Sequence, residues 1–521
     1  MTQIIDFTGG LNNKLDPVRI QDNQAVVYEN IDIISNCLKS LKGEKEIQDA
    51  TDALPFYFKG HWTFSKPGTS YARLLGLSYR AYDDKLEKTL KGKVWSNLWI
   101  QPPEQAPEVT KGTDYADGDS SSNGFYSDDI YYCYTYYNED DGSESAPSPY
   151  SPKTTIGTYK SGSNAHWIKG RGLIKVVKSA DPQITHINIY RMGAGILQFQ
   201  KCLQVENISG TYVDETGNEV LGENLRTIGY TEPPKVSYIA AYYALLFGVS
   251  QVDKNKLMYS DEANPLLWNP LNYIIFDEDI VGLGSSSLGL LVFTEYRVYI
   301  IYGTEIATFQ RYLLYDNIGC KNHNSIQTYN GSVIWQGDDG IYLFDGSNSN
   351  NMTLMNLVPF NETIIASCLN DNVYYGLLED GRILTLDFRF ELKPVMMITD
   401  KYDGIFAVMN RVYVTKNNKL YLLDDGPQRT LHWKSKEYTE NAATILKNYK
   451  YIQIYCRGEF NCKVYTDNRL AAEVKLFSGY NEIKLQQDLR LGYTIQFEIE
   501  GIGHVLEICY QYETRLQTKG V

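Results

Sequence analysis

Asp339-Gly340 is followed by Ile341-Tyr342-Leu343-Phe344 and preceded by Val333-Ile334-Trp335, and the same grammar returns twice downstream. Asp380-Gly381 separates Val373-Tyr374-Tyr375 from Arg382-Ile383-Leu384-Thr385-Leu386. Asn417-Asn418 separates Val412-Tyr413-Val414 from Lys419-Leu420-Tyr421-Leu422-Leu423. Asp, Asn and Gly tolerate the positive φ that two-residue hairpin turns demand, and the flanking residues are apolar or aromatic, so each unit reads as a β-hairpin. The hairpins recur every ~40 residues, the size of one four-stranded propeller blade. The apolar run 290–301, with Glu295-Tyr296 at its centre, supplies a fourth hairpin. These features predict an all-β protein with β-propeller blades over residues 226–435; a plain meander sandwich is the alternative.

Working outward, residues 51–100 are expected to hold the first propeller strands. From Gln101 the composition shifts. Gln101-Pro102-Pro103-Glu104-Gln105-Ala106-Pro107 opens a polar Asp/Ser/Gly stretch reaching Gly124, which reads as a linker into a new domain. Strands follow at 130–137, 173–177, 186–190 and 210–214, predicting an inserted immunoglobulin- or fibronectin-like β-sandwich over 101–225. Residues 138–143 form its first turn, and 144–149, with Pro147 and Pro149, reads as an exit that cannot continue a central strand. Beyond His432, segments 451–455, 462–465, 473–477, 482–485, 493–499 and 505–508 alternate apolar and polar residues. They predict a small C-terminal β-sandwich over 436–521, or strands that close the propeller ring. Residues 1–50 read as an arm or clasp, broken by Gly9-Gly10 and Asp16-Pro17, with a short helix over 22–30 capped by Asp22.

The chain has 521 residues, with 43 tyrosines and 41 glycines, the strand and turn formers an all-β protein needs. Its net charge of -14 argues against a broad nucleic-acid-gripping surface. The densest basic run, Lys85, Lys88, Lys91 and Lys93, reads as a solvated hairpin. The N-terminus lacks the basic and apolar regions of a signal peptide, and no run of about 18 apolar residues occurs, so neither leader nor membrane anchor is expected. Eight cysteines without a CxxC pair suit free thiols in a reducing compartment. The sequons at Asn207, Asn330, Asn351 and Asn361 read as chance.

The sequence holds no Walker A loop, HExxH, G-x-S-x-G elbow or EF-hand loop. Asn138-Glu139-Asp140-Asp141-Gly142 resembles a calcium loop, but Pro149 stands where the bidentate acid is needed. Cys320 and His323 have the spacing of half a zinc site without a second pair nearby. Six histidines leave few imidazole bases, and the repeated signature of sialidase-type propellers is absent. Neither cofactor nor catalytic role is expected.

The opening Phe7-Thr8-Gly9-Gly10-Leu11-Asn12-Asn13-Lys14-Leu15-Asp16-Pro17, continued by Gln24-Ala25, Asn30-Ile31-Asp32 and Leu41-Lys42-Gly43, resembles the start of tail nozzle and packaged-DNA stabilisation proteins of short-tailed bacteriophages. Residues 134–149, 259–265 with Trp268-Asn269-Pro270, and 340–346 are similar in style to that family. Asn36-Cys37 departs from it where a glycine-containing turn is common. The resemblance implies a homo-hexameric ring in the virion tail, assembled in the host cytoplasm, that retains the packaged genome and conducts it during ejection. It also implies portal-adaptor ring proteins and tail fibre or tail-tip proteins as partners, with double-stranded DNA passing through without sequence-specific binding. A receptor-binding tail-tip protein and a glycan-degrading propeller enzyme are the alternatives. Phe7, Leu11, Leu15, Ile20, Val27 and Tyr28 are too apolar to stay wet, so they are expected at a subunit interface. Asp277, Glu278, Asp279, Asp424 and Asp425 are the candidates for an acidic lumen lining that repels DNA toward the axis.

Overall fold

The computed structural model describes residues 2–33, 36–49, 70–82, 85–90, 95–116, 130–262, 264–346, 349–351, 362–390, 393–408, 410–417 and 419–515. Expectations that fall on residues 51–69, on most of the polar stretch 117–129, on Lys91 and Lys93, and on the Asn361 sequon lie outside these residues. The chain is all-β. The helical pieces among the described residues are four three-residue 3-10 turns, and no helix is long and apolar enough to cross a membrane. Two compact units are present, Met1–Ser70 with Glu278–Val521, and Tyr71–Asp277. The 101–225 segment lies within the second of these units.

Among the described residues, the first unit contains four antiparallel four-stranded meanders. Three are built from consecutive strands within 280–316, 327–351 and 364–398. The fourth takes Gly404–Val408, Arg411–Lys416 and Lys419–Leu422, and receives its last strand, Lys45–Asp49, from the other end of the sequence. The first strands of successive sheets, Ile280–Ser285, Gln327–Tyr329, Ile364–Asn370 and Gly404–Val408, lie against one another in chain order, as inner strands of propeller blades do. All four expected hairpins are present with their expected partners. Gly381 (φ 91°) and Asn417 (φ 51°) supply the left-handed turn conformations. The strands that close a blade are therefore N-terminal, and the 436–521 strands do other work.

Those C-terminal strands extend the 364–398 blade sideways into a 13-stranded sheet. Ala25–Glu29 is the bridge: it pairs parallel with Val395–Ile398 and antiparallel with Leu431–Ser435, which in turn pairs with Ile495–Arg515. One hydrophobic core, from Phe7 and Tyr28 through Leu384 and Ile398 to Ile454, Phe497 and Tyr510, runs beneath blade and extension alike. A separate small C-terminal sandwich is not what forms. The segments 451–455 and 462–465 belong to one 21-residue strand, Leu446–Thr466, paired along its length with the equally long Ile495–Arg515. Two glycines make a kink shared by these strands. Gly458 (φ 127°) faces Gly503 (φ 131°), and a Cβ on either would sit 2.1 Å from the partner strand's carbonyl oxygen.

Residues 25–29 form a strand where a helix is expected. Val26, Val27 and Tyr28 favour extended backbone, and pairing on both edges outweighs a weak cap. Asp22 binds the Lys436 ammonium at 2.8 Å instead.

In the second unit, two further four-stranded meanders lie within 70–97 and 236–275. Between them in sequence is a two-layer sandwich: Ser143–Glu144, Ile130–Asn138, His186–Gly193 and Ile196–Glu206 face Gly210–Asp214, Gly172–Val176 and Glu108–Lys111. Counting its strands in chain order, the layers hold 3-2-5-6 and 7-4-1. An immunoglobulin constant-type sandwich divides them ABED and CFG, so the two-layer arrangement is shared but the assignment of strands to layers is not the immunoglobulin one.

Candidate functional site

The predicted interface strip is consumed inside the chain's own unit. Phe7, Leu11, Ile20 and Tyr28 are buried, and Leu15 and Val27 are partly buried. Phe7 packs edge-on against Trp433 with ring centroids 5.4 Å apart, and the Tyr28 hydroxyl donates to the Phe7 carbonyl at 2.9 Å. Among its described residues, this arm leaves no continuous apolar strip for a neighbouring subunit.

The acidic turns are separated and mostly compensated. Glu278 binds Arg297 at 2.6 Å, and Asp425 binds Lys45 at 3.4 Å. Asp424 lies 3.9 Å from Arg429, a buried guanidinium that also holds Glu44 and Asp400. Asp277 and Asp279 are exposed. Glu278 and Asp279 lead into a first blade strand, whereas Asp424 and Asp425 leave a third strand. Strands one and three of a meander run in the same direction, so these turns sit at opposite ends of the blades and cannot form one ring of charge.

Cys320 and His323 are also spoken for. The Cys320 thiol donates to the Asn322 carbonyl at 3.3 Å. His323 Nδ1 accepts from the Leu283 amide at 3.3 Å, which fixes the proton on Nε2, 2.9 Å from the Ser70 hydroxyl. Burial lowers its pKa to about 4. No cluster of three or more His, Cys, Asp or Glu side chains placed to hold a metal occurs among the described residues.

The feature with chemical content lies in the Tyr71–Asp277 unit, and its construction starts with a serine ladder. The segment Ser145-Ala146-Pro147-Ser148-Pro149-Tyr150-Ser151-Pro152 flanks Ile130–Asn138, although its prolines lack the N–H of an edge strand. The amides of Ser145, Ser148 and Ser151 donate to the carbonyls of Tyr136, Tyr134 and Tyr132 at 2.8–2.9 Å. Their hydroxyls accept from the amides of the same three tyrosines at 2.9–3.1 Å. Side-chain oxygens thus stand in for the missing ladder geometry. Residues 145–152 thus run beside the strand without continuing it as one, as the prolines at 147 and 149 lead one to expect, and the three-residue serine spacing is the signal for this pairing.

Tyr132, Tyr134 and Tyr136 point into the sandwich core, so Thr135 and Tyr137 face the opposite way. On that second face Glu144 Oε1 accepts from Asn188 Nδ2 at 2.9 Å, from the Tyr190 hydroxyl at 2.7 Å, and from Thr135. Against it stands the 70–97 blade, where Tyr79 and Lys88 are cross-strand partners. The Lys88 ammonium, 2 % exposed, binds Asp141 at 2.6 Å and also donates to the Ser143 hydroxyl. Burial lowers the Lys88 pKa, and the Asp141 carboxylate opposes that shift. Lys88 is thus buried rather than part of a solvated hairpin. Its position two residues after Leu86 on a strand puts it on the inward face, and the acid that neutralises it arrives from a distant turn.

Together these groups line a cavity of about 400 Å³, closed also by Leu98, Thr227, Tyr230 and Pro265. Three buried polar atoms of these lining residues, Tyr79 OH, Asn188 Oδ1 and Thr227 Oγ1, have no hydrogen-bond partner among the described residues, and all three residues are at most 4 % exposed. Tyr79, Asn188 and Thr227 carried no sequence signal as a site, because they are brought together only by the packing of blade on sandwich.

Neither a protein-family model nor a curated protein matches the chain. Among solved structures it is distantly similar to Kluyveromyces lactis Hsv2 (12% identity, 52% of this chain and 72% of that one, TM-score 0.26). BamB from Moraxella catarrhalis matches at 8% identity over 63% of this chain and 95% of its own (TM-score 0.27). A Dos1 propeller matches at 11% over 74% and 96% (TM-score 0.29). It is the strand topology, not these likenesses, that identifies the meanders as propeller blades.

Proposed function

We propose that the chain is a structural virion protein, one subunit of a homo-hexameric phage tail nozzle ring that retains the packaged genome and conducts it at ejection. The supporting observation is how residues 2–49 are woven into the first unit. Thr2–Ile4 and Leu38–Lys39 pair with Ile495–Arg515, Ala25–Glu29 joins the 364–398 blade to the C-terminal extension, and Lys45–Asp49 completes another blade. A sequence opening of the nozzle type is thus also the segment that ties blades and extension into one core, as a rigid wall under internal pressure requires. The role is mechanical rather than catalytic, with portal-adaptor rings and tail fibre or tail-tip proteins as neighbours. At -14 per chain, six copies carry about -84, which favours passage of duplex DNA over retention by phosphate contacts.

Cryo-electron microscopy of virions of the encoding phage tests this. The expected result is a six-fold ring of this chain below the portal adaptors, around a bore wide enough for a duplex. A position at the fibre tip, a continuous basic bore, or absence from the particle overturns it; the tip position would favour the receptor-binding alternative.

A further inference from the structure

We propose that Lys88 and Asp141 join in an isopeptide bond, a self-made covalent cross-link between the 70–97 blade and the sandwich turn 138–143. Lys88 lies on the inward face of Lys85–Thr89, and its ammonium meets Asp141 Oδ2 at 2.6 Å. The turn that carries Asp141 is pinned on either side of it. The Asp140 amide donates to Asn138 Oδ1 at 3.0 Å, and the Gly142 amide donates to the Asn138 carbonyl at 2.9 Å. The two side chains are 2 % and 8 % exposed. In every other lysine–carboxylate pair between described residues, at least one partner is more than a tenth exposed.

Taking both charges of a pair out of water is costly, and a neutral amine beside a neutral carboxyl avoids that cost. Burial lowers the Lys88 pKa although the charges of Asp141 and Asp181 oppose it. A desolvated lysine of this kind is a competent nucleophile. Its target is prepared as well. Asp141 Oδ1 accepts from the Ser143 amide at 3.0 Å and from the Ser143 hydroxyl, and the Lys88 ammonium donates to that same hydroxyl. Two donors aimed at one carboxyl oxygen stabilise the negative charge it gains when the carbon is attacked.

The reaction is a condensation. One ammonium proton passes to Oδ2, the freed lone pair of Nζ bonds to Cγ, and the π electrons of the carboxyl move onto Oδ1 between the Ser143 donors. A second proton then moves from the nitrogen to the Oδ2 hydroxyl. The Cγ–Oδ2 bond breaks, water leaves, and Oδ1 becomes the amide carbonyl oxygen. Ammonium and carboxylate thus become one amide and one water, with no oxidant or co-reactant consumed. Lys88, Asp141 and Ser143 all line the cavity of about 400 Å³, which receives the water. The bond lies within the Tyr71–Asp277 unit, whereas the nozzle reading rests on the other unit, so its failure leaves that reading standing.

The test is the intact mass of the denatured full-length chain, followed by peptide mapping. The parent should be lighter than its sequence by one water, and digestion should release a branched peptide joining Lys88 to Asp141. Asp141-Gly142 can also lose water by closing to a succinimide, so the branched peptide decides between the two. Lys88→Arg keeps the cation but cannot form this amide, and should return to its full sequence mass. Ser143→Ala removes one of the two donors to Oδ1 and should slow closure by about 100-fold, read as the cross-linked fraction against time after synthesis. Two results overturn the inference: a parent at its full sequence mass, with the Lys88 and Asp141 peptides recovered separately, or a water loss that persists in Lys88→Arg. The parent measurement stands whether or not the variants fold.

Discussion

Arg191→Met is expected to be among the most damaging single substitutions in the sandwich, and the structure supplies the reason. Arg191 and Asp214 are both 0 % exposed, and their side chains meet at 2.8 Å. The guanidinium also donates to the Thr216 carbonyl and to Asn218 Oδ1, each at 2.9 Å. Asp214 accepts in addition from the Tyr132 hydroxyl and the Thr216 amide, both at 2.9 Å. At an effective dielectric near 20, the charge pair alone is attractive by roughly 6 kcal/mol. That figure is not the loss to expect, because desolvating both ions offsets much of it. What removal of Arg191 leaves behind is a buried carboxylate with two neutral donors and no counter-charge, a situation that costs about 3–5 kcal/mol. Removing both charges in Arg191→Met/Asp214→Leu should recover most of that loss, since an apolar pair of similar volume carries no desolvation debt. Native-state hydrogen exchange reads this directly. Peptides covering Gly172–Val176 and Gly210–Asp214 should lose protection in the single variant and regain it in the double one, with the 280–422 blades unchanged in both. A single variant within about 1 kcal/mol of the parent, or a double variant as unstable as the single one, would refute the reasoning.

Three further outcomes follow from particular contacts. Gly503→Ala forces a Cβ to 2.1 Å from the Arg457 carbonyl oxygen at φ 131°, and should cost about 2–5 kcal/mol, seen as lost exchange protection along Leu446–Thr466. Ser148→Ala strips the Tyr134 amide of its acceptor and should lower sandwich stability by about 1–3 kcal/mol in urea titration, whereas Ser148→Thr should largely keep it. His432 lies between Glu29 at 3.4 Å and Glu498 at 3.2 Å. Hydrogen bonding to Glu29 is the main reason its pKa is raised above 6.5, and Glu498 adds to it. A raised histidine pKa stabilises the fold fully below 6.5, and the gain is lost as pH rises through the folded value. Glu498 titrates below its usual 4.5, mainly because of the Tyr465 and Lys434 hydrogen bonds that overcome its burial, so its contribution is lost as pH falls through that lower value. Unfolding measured against pH should show His432→Gln erasing the near-neutral decline while leaving the acidic one in place.

What the sequence determined by itself were features whose cause is local. Asp339-Gly340, Asp380-Gly381 and Glu295-Tyr296 marked turns because the backbone conformations they permit are set within a few residues, and the apolar alternation beside them marked strands for the same reason. The two-layer insertion was legible in strands such as Ile130–Asn138 on the same grounds. Tertiary structure decided everything that depended on what lies across the chain. Residues 25–29 became a strand because Val395–Ile398 and Leu431–Ser435 offered edges on both sides, more hydrogen bonds than a capped turn of helix provides. Gly458 and Gly503 form one shared bend because they are antiparallel partners 45 residues apart in sequence. Phe7 and Tyr28 found their cover in Trp433 and the core around it, which no property of the arm alone could announce. Tyr79, Asn188 and Thr227 are ordinary residues in their own strands and loops. They line one cavity only because the packing of a blade on a sandwich brings together Tyr79 and Asn188, 109 residues apart in sequence.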